Sequence, residues 1–195
     1  MSAARTGASA TSRRRRHGLG ALVVILVAVG VVWWGMPRLG LIDPADTESA
    51  PGTPVRPPSA AGPVPVERVV DGDTIIVLRD GAEERVRLLG IDTPESVKPD
   101  SPVECFGPEA SARTAELLTG RSVWLESDPT QDSVDQYGRT LAYAWLDEST
   151  LVNLLLVAEG YAYEYTYGVP GVHQVALASA QDDASAAGLG LWGTC

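Results

Sequence analysis

The longest apolar run in the chain covers residues 18–36, contains no charged side chain and follows four consecutive arginines at residues 13–16. As a helix it would span roughly 28 Å, close to the ~30 Å hydrocarbon thickness of a bilayer. The positive-inside rule predicts a basic cytoplasmic tail over residues 1–17 and a transmembrane signal-anchor helix over residues 18–36. A cleaved signal peptide is the alternative. Both interpretations export the rest of the chain, either outside a single-pass anchor in the cell membrane or as a secreted protein.

A proline-rich segment, residues 37–63, follows this run and holds seven of the 14 prolines. It contains too few large apolar side chains to offset the entropy cost of ordering, so we predict a disordered, extended linker. Residues 64–195 are numerous enough to bury a core without help from a metal or a second subunit. They are predicted to form one compact domain.

The charge is divided unevenly between these parts. Residues 64–195 carry eight basic and 22 acidic side chains, a net charge of −14, whereas residues 1–63 carry a net charge of +4. A domain this acidic repels the phosphate backbone of nucleic acid at long range. The charge therefore disfavours a passive nucleic-acid-binding protein, but it is compatible with an enzyme that concentrates cations in one site.

Alternating apolar and polar residues predict five short, mostly antiparallel strands in this domain. The strands are predicted over residues 66–70, 74–79, 84–91, 122–126 and 139–146, with Asp80-Gly81 as a hairpin turn between the second and the third. Three helices are predicted: one from Pro108 to Gly120, one capped by Ser149 or Thr150 and ended by Gly160, and one over about residues 172–187. The pattern indicates an α+β domain with five strands and three helices. It is compatible with a five-stranded OB-type β-barrel, although periodicity alone does not select that fold.

Three carboxylates and two arginines stand close to predicted turns. Asp73, Asp92 and Glu95 are oxygen donors of the kind that a hard cation prefers, and Ca²⁺ is abundant outside cells. Arg87 and Arg139 can bind phosphate oxygens through two parallel hydrogen bonds and keep their charge at any working pH. Each of these residues alone is more simply a turn residue or a surface ion pair. Together they suit the cleavage of a phosphodiester.

Several ordered motifs resemble the staphylococcal nuclease (thermonuclease) family. The resemblance covers roughly residues 66–192, nearly the whole predicted domain. The matching segments are Val70-Asp71-Gly72-Asp73-Thr74, Arg87-Leu88-Leu89 followed by Ile91-Asp92-Thr93-Pro94-Glu95, Gly107-Pro108-Glu109-Ala110-Ser111, Asp135-Gln136-Tyr137-Gly138-Arg139, Leu141-Ala142-Tyr143 and Gly190-Leu191-Trp192.

This resemblance implies an OB-type barrel that hydrolyses DNA or RNA phosphodiesters in the presence of Ca²⁺ and leaves 3′-phosphate ends. Asp73 and Asp92 would bind the metal by their carboxylates and Thr93 by its backbone carbonyl. Glu95 would act near the metal and position or deprotonate the attacking water. Two arginines would act on the substrate: Arg87 at the scissile phosphate, and Arg139 on the developing charge and the leaving group.

The resemblance also implies tyrosines along the bound nucleotide. Tyr137 is expected beside it, and Tyr165 and Tyr167 correspond to the pair that lines the family's nucleotide pocket. The correspondence of these tyrosines to the family's pair can shift by one or two residues, so Tyr161 or Tyr163 is an alternative.

Two departures from the family predict weak substrate binding. Gln136 stands where the family member compared has a basic residue, and the loop after the Thr-Pro-Glu motif carries Lys98 with Asp100 and Glu104 instead of several lysines. With the domain's negative charge, these departures predict a modest nuclease whose affinity changes little with salt.

The chain is expected to act as a monomer. One alternative is a weak or inactive nuclease-like surface domain that binds nucleic acid or other anionic ligands. A calcium-binding stabiliser of the cell envelope is another, but it leaves the two arginines without a role.

Cys105 and Cys195 are the two cysteines of the chain. In an exported protein, two cysteines most simply form one disulfide. This bond would attach the C-terminus to the loop before the first helix. Free or intermolecular thiols are the alternative.

Overall fold

The computed structural model describes residues 52–97 and 102–195. The predicted cytoplasmic tail, the predicted transmembrane helix and residues 37–51 of the predicted linker lie outside the described residues, as do residues 98–101. Among the helices of the described part, none has both the length and the apolar character needed to cross a membrane.

The described residues contain seven strands and four helices, joined by loops. The strands are β1 (Ala61–Asp71), β2 (Thr74–Arg79), β3 (Ala82–Leu88), β4 (Ile91–Asp92), β5 (Ser122–Glu126), β6 (Thr140–Trp145) and β7 (Tyr163–Glu164). The helices are α1 (Gly107–Leu118), α2 (Val152–Ala158), α3 (Gln174–Ala186) and α4 (Leu191–Thr194). Five of the strands close a barrel in the order β1–β2–β3–β6–β5, which confirms the predicted five-stranded barrel. β4 and β7 form a separate two-stranded sheet.

The hairpin between β2 and β3 forms where the sequence predicts it. Asp80 and Gly81 have φ values of 52° and 81°, the left-handed conformation that a tight two-residue turn requires at both positions. In β3 the side chains of Val86 and Leu88 are fully buried, whereas Arg87 between them points to the other face. The hairpin register therefore decides which side of the barrel receives Arg87.

One parallel pairing joins the two halves of the barrel. β3 lies parallel to β6, with Arg87 opposite Leu141, while the other neighbouring barrel strands are antiparallel. Asn153 of α2 connects β6 to the chain just after β3. Its buried side chain accepts from Ala144 N at 2.9 Å and donates to Leu89 O at 2.8 Å. The end of β3 is thus held in place from the adjoining helix.

The start of the domain differs from the prediction. β1 begins at Ala61, opposite Leu125 of β5, so residues 61–63 are strand and not linker. The backbone N–H of Arg56 donates to Glu148 O at 2.9 Å, and its guanidinium lies 4.5 Å from the centre of the Trp124 ring. The predicted disordered linker therefore ends too late. Backbone pairing and one cation–π contact order a segment whose composition lacks apolar side chains.

Three local predictions also need correction. The third strand ends at Leu88 instead of continuing to residue 91, because Gly90 has a φ of 73° and turns the chain. α2 has Leu151 at its N-cap, while Ser149 and Thr150 donate their backbone N–H groups to Asp147. The short α4 was not predicted, since four residues carry no helical periodicity.

Candidate active site

The turn between β1 and β2 places Asp73 against a distant segment. Gly72 at its centre has no room for a side chain, since a Cβ there would lie 2.7 Å from Thr93 Oγ1. Thr114 of α1 donates its hydroxyl to Gly72 O at 2.6 Å. Asp73 Oδ2 accepts from the backbone N–H and the hydroxyl of Thr93 at 3.0 and 3.1 Å. The Asp-Gly-Asp motif is therefore a packed element that joins two of the predicted metal ligands.

Arg87 lies between the two predicted metal-binding carboxylates. Its Nε is 3.1 Å from Asp73 Oδ1, and its Nη2 donates to Asp92 Oδ1 at 2.7 Å. Its Nη1 donates to the carbonyl oxygens of Leu88 and Ile91 at 2.8 and 2.7 Å. The guanidinium is thus held by four acceptors from three segments of the chain. Its side chain is 14% exposed, so one edge remains accessible to a ligand.

Negative charge accumulates around Asp92. Partial burial raises the pKa of Asp92, the Arg87 guanidinium opposes this, and the carboxylates of Asp73, Glu104 and Glu95 raise it further, so that its pKa lies above the ordinary value. A single arginine therefore does not neutralise the carboxylates that meet here. A divalent cation at this point would relieve the repulsion between the carboxylates. The atoms predicted to bind it are all oxygens, which Ca²⁺ prefers.

The number of side-chain ligands is small. Within residues 52–97 and 102–195, no three His, Cys, Asp or Glu side chains form a group arranged to hold a metal ion. The predicted set is the carboxylates of Asp73 and Asp92 and the backbone carbonyl of Thr93, with Glu95 near the ion and water completing the coordination. The residues present fit such an open, oxygen-rich site and do not fit a closed site made of side chains alone.

Glu95 follows directly in the same loop. Its Oε1 accepts from the backbone N–H groups of Ser96 and Val97, both at 3.0 Å. The Ser96 hydroxyl donates to Asp71 Oδ1 at 2.7 Å, and the Ser111 hydroxyl of α1 donates to the same oxygen at 2.9 Å. Asp71 and Ser111 thus support the Glu95 loop. Sequence reasoning gave them no role, because partners 40 residues apart leave no local signal.

Arg139 is held by a residue of its own loop. Its Nε donates to Asp135 Oδ2 at 2.6 Å, and Asp135 Oδ1 accepts from the backbone N–H groups of Tyr137 and Arg139. Burial alone would raise the pKa of Asp135, but these hydrogen bonds and the arginine charge outweigh it, and the pKa lies below the ordinary value. The guanidinium carbon also lies 5.4 Å from the centre of the Tyr137 ring. A charged aspartate therefore orients Arg139.

A cleft of about 470 Å³ brings most of the predicted site together. Six predicted residues line it: Arg87, Asp92, Tyr137, Arg139, Tyr165 and Tyr167. Asp73, Thr93 and Glu95 are not among the lining residues of the described chain; Asp73 is linked to the cleft through Arg87, and Thr93 through Asp73. The six predicted residues thus bring two arginines, a carboxylate and three aromatic side chains to one cleft.

The structure also separates the four candidate tyrosines. The backbone N–H of Tyr165 donates to Gly90 O at 2.9 Å, beside the pairing of β4 with β7, and its ring stacks with Tyr167 at 6.5 Å. Tyr161 packs on Phe106 and Tyr163 packs on Trp192, with ring centres 5.3 and 5.2 Å apart. Tyr165 and Tyr167 therefore lie at the cleft, whereas the alternatives take part in packing contacts.

Comparison with known proteins finds similar sequences. The family model described as "Staphylococcal nuclease homologue" matches residues 85–194. A thermonuclease of Staphylococcus intermedius is 45% identical over 127 residues, which cover 65% of this chain and 74% of that protein. For a thermonuclease of Staphylococcus hyicus the identity is 43% over 127 residues, 65% of this chain and 73% of that protein. A micrococcal nuclease of Shigella flexneri is 38% identical over 136 residues, 65% of this chain and 71% of that protein.

The chain belongs to the staphylococcal nuclease family. The matched residues 85–194 include both arginines and Asp92, but they begin after the turn that carries Asp73. For that turn the geometry is the stronger argument, because Asp73 contacts both Arg87 and Thr93. Membership of the staphylococcal nuclease family thus supports the part of the site within residues 85–194, and the contacts of Asp73 support the part before it.

Three hydrogen bonds in this staphylococcal nuclease homologue join the loop of Arg139 to the loop of the tyrosines. Gln131 Nε2 donates to Val169 O at 2.7 Å, Thr130 Oγ1 lies 3.3 Å from Pro170 O, and Val172 N donates to Asp128 Oδ2 at 2.8 Å. They link the two sides of the cleft. The residues carry no recognisable motif, so sequence reasoning missed them.

Asp128, which takes part in these hydrogen bonds between the two loops, makes the stability of the fold depend on pH. Burial alone would raise its pKa, but hydrogen bonds from Thr130, Val172 and Tyr143 outweigh burial, and its pKa in the folded protein lies below the ordinary value. Stability from such a group is fully present above the unfolded pKa of about 3.9 and is lost as the pH falls through the folded pKa. We therefore expect the free energy of unfolding to decrease below about pH 4.

Urea unfolding between pH 3 and 7 tests this with Asp128→Asn. The variant should be about 1–3 kcal/mol less stable at pH 7, and the difference from the unaltered protein should shrink at pH 3. Asp182→Asn, at an exposed position of α3, serves as the control. A difference that stays constant with pH would contradict the role given to the Asp128 charge.

Proposed function

We propose that this chain is a nuclease that hydrolyses phosphodiester bonds of DNA or RNA, uses Ca²⁺ and leaves 3′-phosphate ends. The observation that carries the proposal is the convergence of Arg87 and Arg139 with Asp92 in one cleft, which is also lined by Tyr137, Tyr165 and Tyr167. Two fixed guanidinium groups suit a phosphodiester whose charge grows in the transition state. Family membership supports the same activity, since the relatives are named as nucleases.

The residues of the chain divide the work. Arg87 donates to a non-bridging oxygen of the scissile phosphate from its accessible edge. Arg139, oriented by Asp135, stabilises the charge that develops on phosphorus and on the leaving oxygen. Glu95 positions the attacking water or takes its proton. Tyr165 and Tyr167 hold the nucleotide next to the phosphate by contact with their exposed rings, which are 47% and 79% exposed.

Asp73, Asp92 and the Thr93 carbonyl would hold the Ca²⁺ ion, with Glu95 beside it. The bound ion would supply positive charge to the phosphate and to the attacking water. The raised pKa of Asp92 and the all-oxygen donors support this assignment. Because a carboxylate must be deprotonated to bind a cation, Ca²⁺ binding is expected to release protons near the pKa of Asp92.

The decisive experiment is a cleavage assay on the purified full-length chain in mild detergent. Single-stranded DNA and RNA are incubated with Ca²⁺ or with an excess of chelator, and the new ends are tested for 3′-phosphate by their sensitivity to phosphatase. Cleavage with Ca²⁺ and none with chelator supports the proposal. A folded protein that binds DNA but cleaves neither substrate would instead favour a nuclease-like binding domain.

Salt should affect substrate affinity only weakly. Few cations surround the cleft, and Gln136 in its lining offers no positive charge. We expect KM for single-stranded DNA to rise only shallowly with salt, because few counterions are released on binding. Gln136→Lys should lower KM at low salt and steepen the logarithmic salt dependence by about 0.7–1.

Measuring KM from low to moderate salt checks this prediction. Ala82→Lys, at the hairpin end of β3, adds the same charge away from the cleft and should leave the slope unchanged. A steep slope for the unaltered protein would contradict the electrostatic argument.

We further propose that residues 18–36 tether the domain to the cell membrane, with the domain outside the cytoplasm and monomeric. The disulfide between Cys105 and Cys195, whose Cα atoms are 6.0 Å apart, supports an oxidising compartment. Protease added to intact cells should degrade the domain and spare the N-terminal tail. Cleavage of the anchor would show as a secreted form whose mass lacks the N-terminal segment, and light scattering would report the oligomeric state.

A further inference from the structure

The segment 104–107 lies against the backbone of Glu95. The backbone N–H of Glu104 donates to Glu95 O at 2.9 Å, and the Glu104 carboxylate accepts from the backbone N–H of Glu95 at 3.0 Å. A Cβ at Gly107 would lie 2.5 Å from Glu95 O, so the two segments are in close contact at this position as well. Both polar groups of the Glu95 backbone are therefore engaged by Glu104.

A covalent bond anchors this segment. Cys105 is joined to Cys195, and Cys195 N donates to Leu191 O, whose residue is almost fully buried. Phe106 adopts a φ of 69°, a conformation that a bulky residue rarely takes, and its ring packs on Tyr161 at 5.3 Å. The segment is thus held in one unusual conformation by α4 and by the core.

The other side of Glu95 is fixed separately. Two residues earlier, Thr93 is bound to Asp73 through both its backbone N–H and its hydroxyl. Two residues later, Val97 donates its backbone N–H to the Glu95 carboxylate. Ser96, the residue directly after Glu95, donates its hydroxyl to Asp71. Without the Glu104 carboxylate, the backbone N–H of Glu95 loses its acceptor between these two attachments. A loop with one attachment fewer allows displacements that matter for a group that must meet a water molecule and a phosphate.

We propose that Glu104 is a positioning residue for Glu95 and that the Cys105–Cys195 disulfide holds Glu104 in place. The inference rests on the proposed nuclease activity. Glu104 acts through the Glu95 backbone and does not touch the substrate. It therefore affects the rate of the chemical step and leaves substrate binding alone.

The test compares Glu104→Ala, Glu104→Gln and the control Glu109→Ala, which removes an exposed carboxylate from the first turn of α1. At saturating Ca²⁺, Glu104→Ala should lower kcat about tenfold with KM unchanged, because a small displacement of a catalytic group is costly. Glu104→Gln should restore most of the rate, since its amide oxygen still accepts from Glu95 N. The control should match the unaltered protein.

Equal losses in Glu104→Ala and Glu104→Gln would overturn the proposal, because the charge of Glu104 would then be its contribution. An unchanged kcat in Glu104→Ala would overturn it as well. If the unaltered protein does not cleave at all, the proposed function fails first. Hydrogen exchange at the Glu95 amide then tests the positioning by itself: it should be faster in Glu104→Ala than in the control.

The disulfide is tested with Cys105→Ser combined with Cys195→Ser, assayed at a temperature where circular dichroism shows the folded state. The paired change should lower kcat in the same direction, with KM unchanged. Adding Glu104→Ala to it should cost less than the product of the separate losses, because both act on one attachment. Full kcat in the folded paired variant, or losses that simply multiply, would overturn the role given to the disulfide.

Discussion

Replacing Arg87 with alanine should lower kcat by about a thousandfold, the size of effect seen when a fixed donor to a developing charge is removed. Arg87 is held by Asp73, Asp92 and two backbone carbonyls, so its geometry is prepared before substrate arrives. The substitution also removes the positively charged guanidinium that lies between the carboxylates of Asp73 and Asp92. The Ca²⁺ concentration for half-maximal activity should therefore stay the same or fall, which separates loss of chemistry from loss of metal.

Arg87→Lys and Arg85→Ala complete this comparison. Lysine keeps the charge but cannot reproduce the planar fork that meets several acceptors at once, so kcat should still fall by about a hundredfold. Arg85 is an exposed residue of the same strand, and its replacement should leave kcat unchanged within about twofold, as expected for a surface position. Initial rates at saturating Ca²⁺ measure each effect. A folded Arg87→Ala protein that keeps most of its kcat would remove the arginine from the mechanism.

Replacing Asp73 with asparagine should lower both activity and stability. Each carboxylate oxygen of Asp73 faces donors: Oδ1 faces Thr74 Oγ1 and Arg87 Nε, and Oδ2 faces the N–H and hydroxyl of Thr93. The amide NH₂ of asparagine must therefore oppose one set of donors in either orientation. We expect a loss of about 2–4 kcal/mol in the free energy of unfolding, because charged acceptors in buried sites are costly to lose.

The same substitution removes one of the predicted carboxylate ligands of Ca²⁺. The Ca²⁺ concentration for half-maximal activity should rise by about 10–100-fold, the range found when groups that tune a metal site are altered. Asp71→Asn is the matched control, because Asp71 is a buried residue of the same turn that binds Ser96 and Ser111 instead. It should also destabilise the fold, but its Ca²⁺ requirement should rise much less than that of Asp73→Asn, because Asp71 supports the Glu95 loop and is not itself a predicted ligand. Equal Ca²⁺ requirements in the two variants would contradict the metal site.

Local pattern was sufficient for most of the barrel. Strands β2, β3, β5 and β6 lie within a few residues of their predicted positions. In β3 exposed and buried side chains largely alternate, whereas β2 and β6 are mostly buried on both faces and were predictable as short runs of β-branched, aromatic and other apolar residues next to turn residues. The hairpin at Asp80 and Gly81 was predictable for a similar reason, since its two residues tolerate left-handed backbone conformations. Errors occurred where local pattern is weak, as at Ala61, where pairing with β5 extends a strand into a proline-rich segment.

The sequence by itself determined which residue types are available for catalysis and in what order: two arginines, three carboxylates and a set of tyrosines. Only the tertiary structure decided which of them meet. The parallel pairing of β3 with β6 brings Arg87, near the end of β3, and the loop of Arg139, just before β6, to one cleft, although more than 50 residues separate these arginines. The two-residue pairing of β4 with β7 puts Tyr165 and Tyr167 there instead of Tyr161 and Tyr163. Long-range register depends on how the whole core packs, and no window of neighbouring residues contains that information.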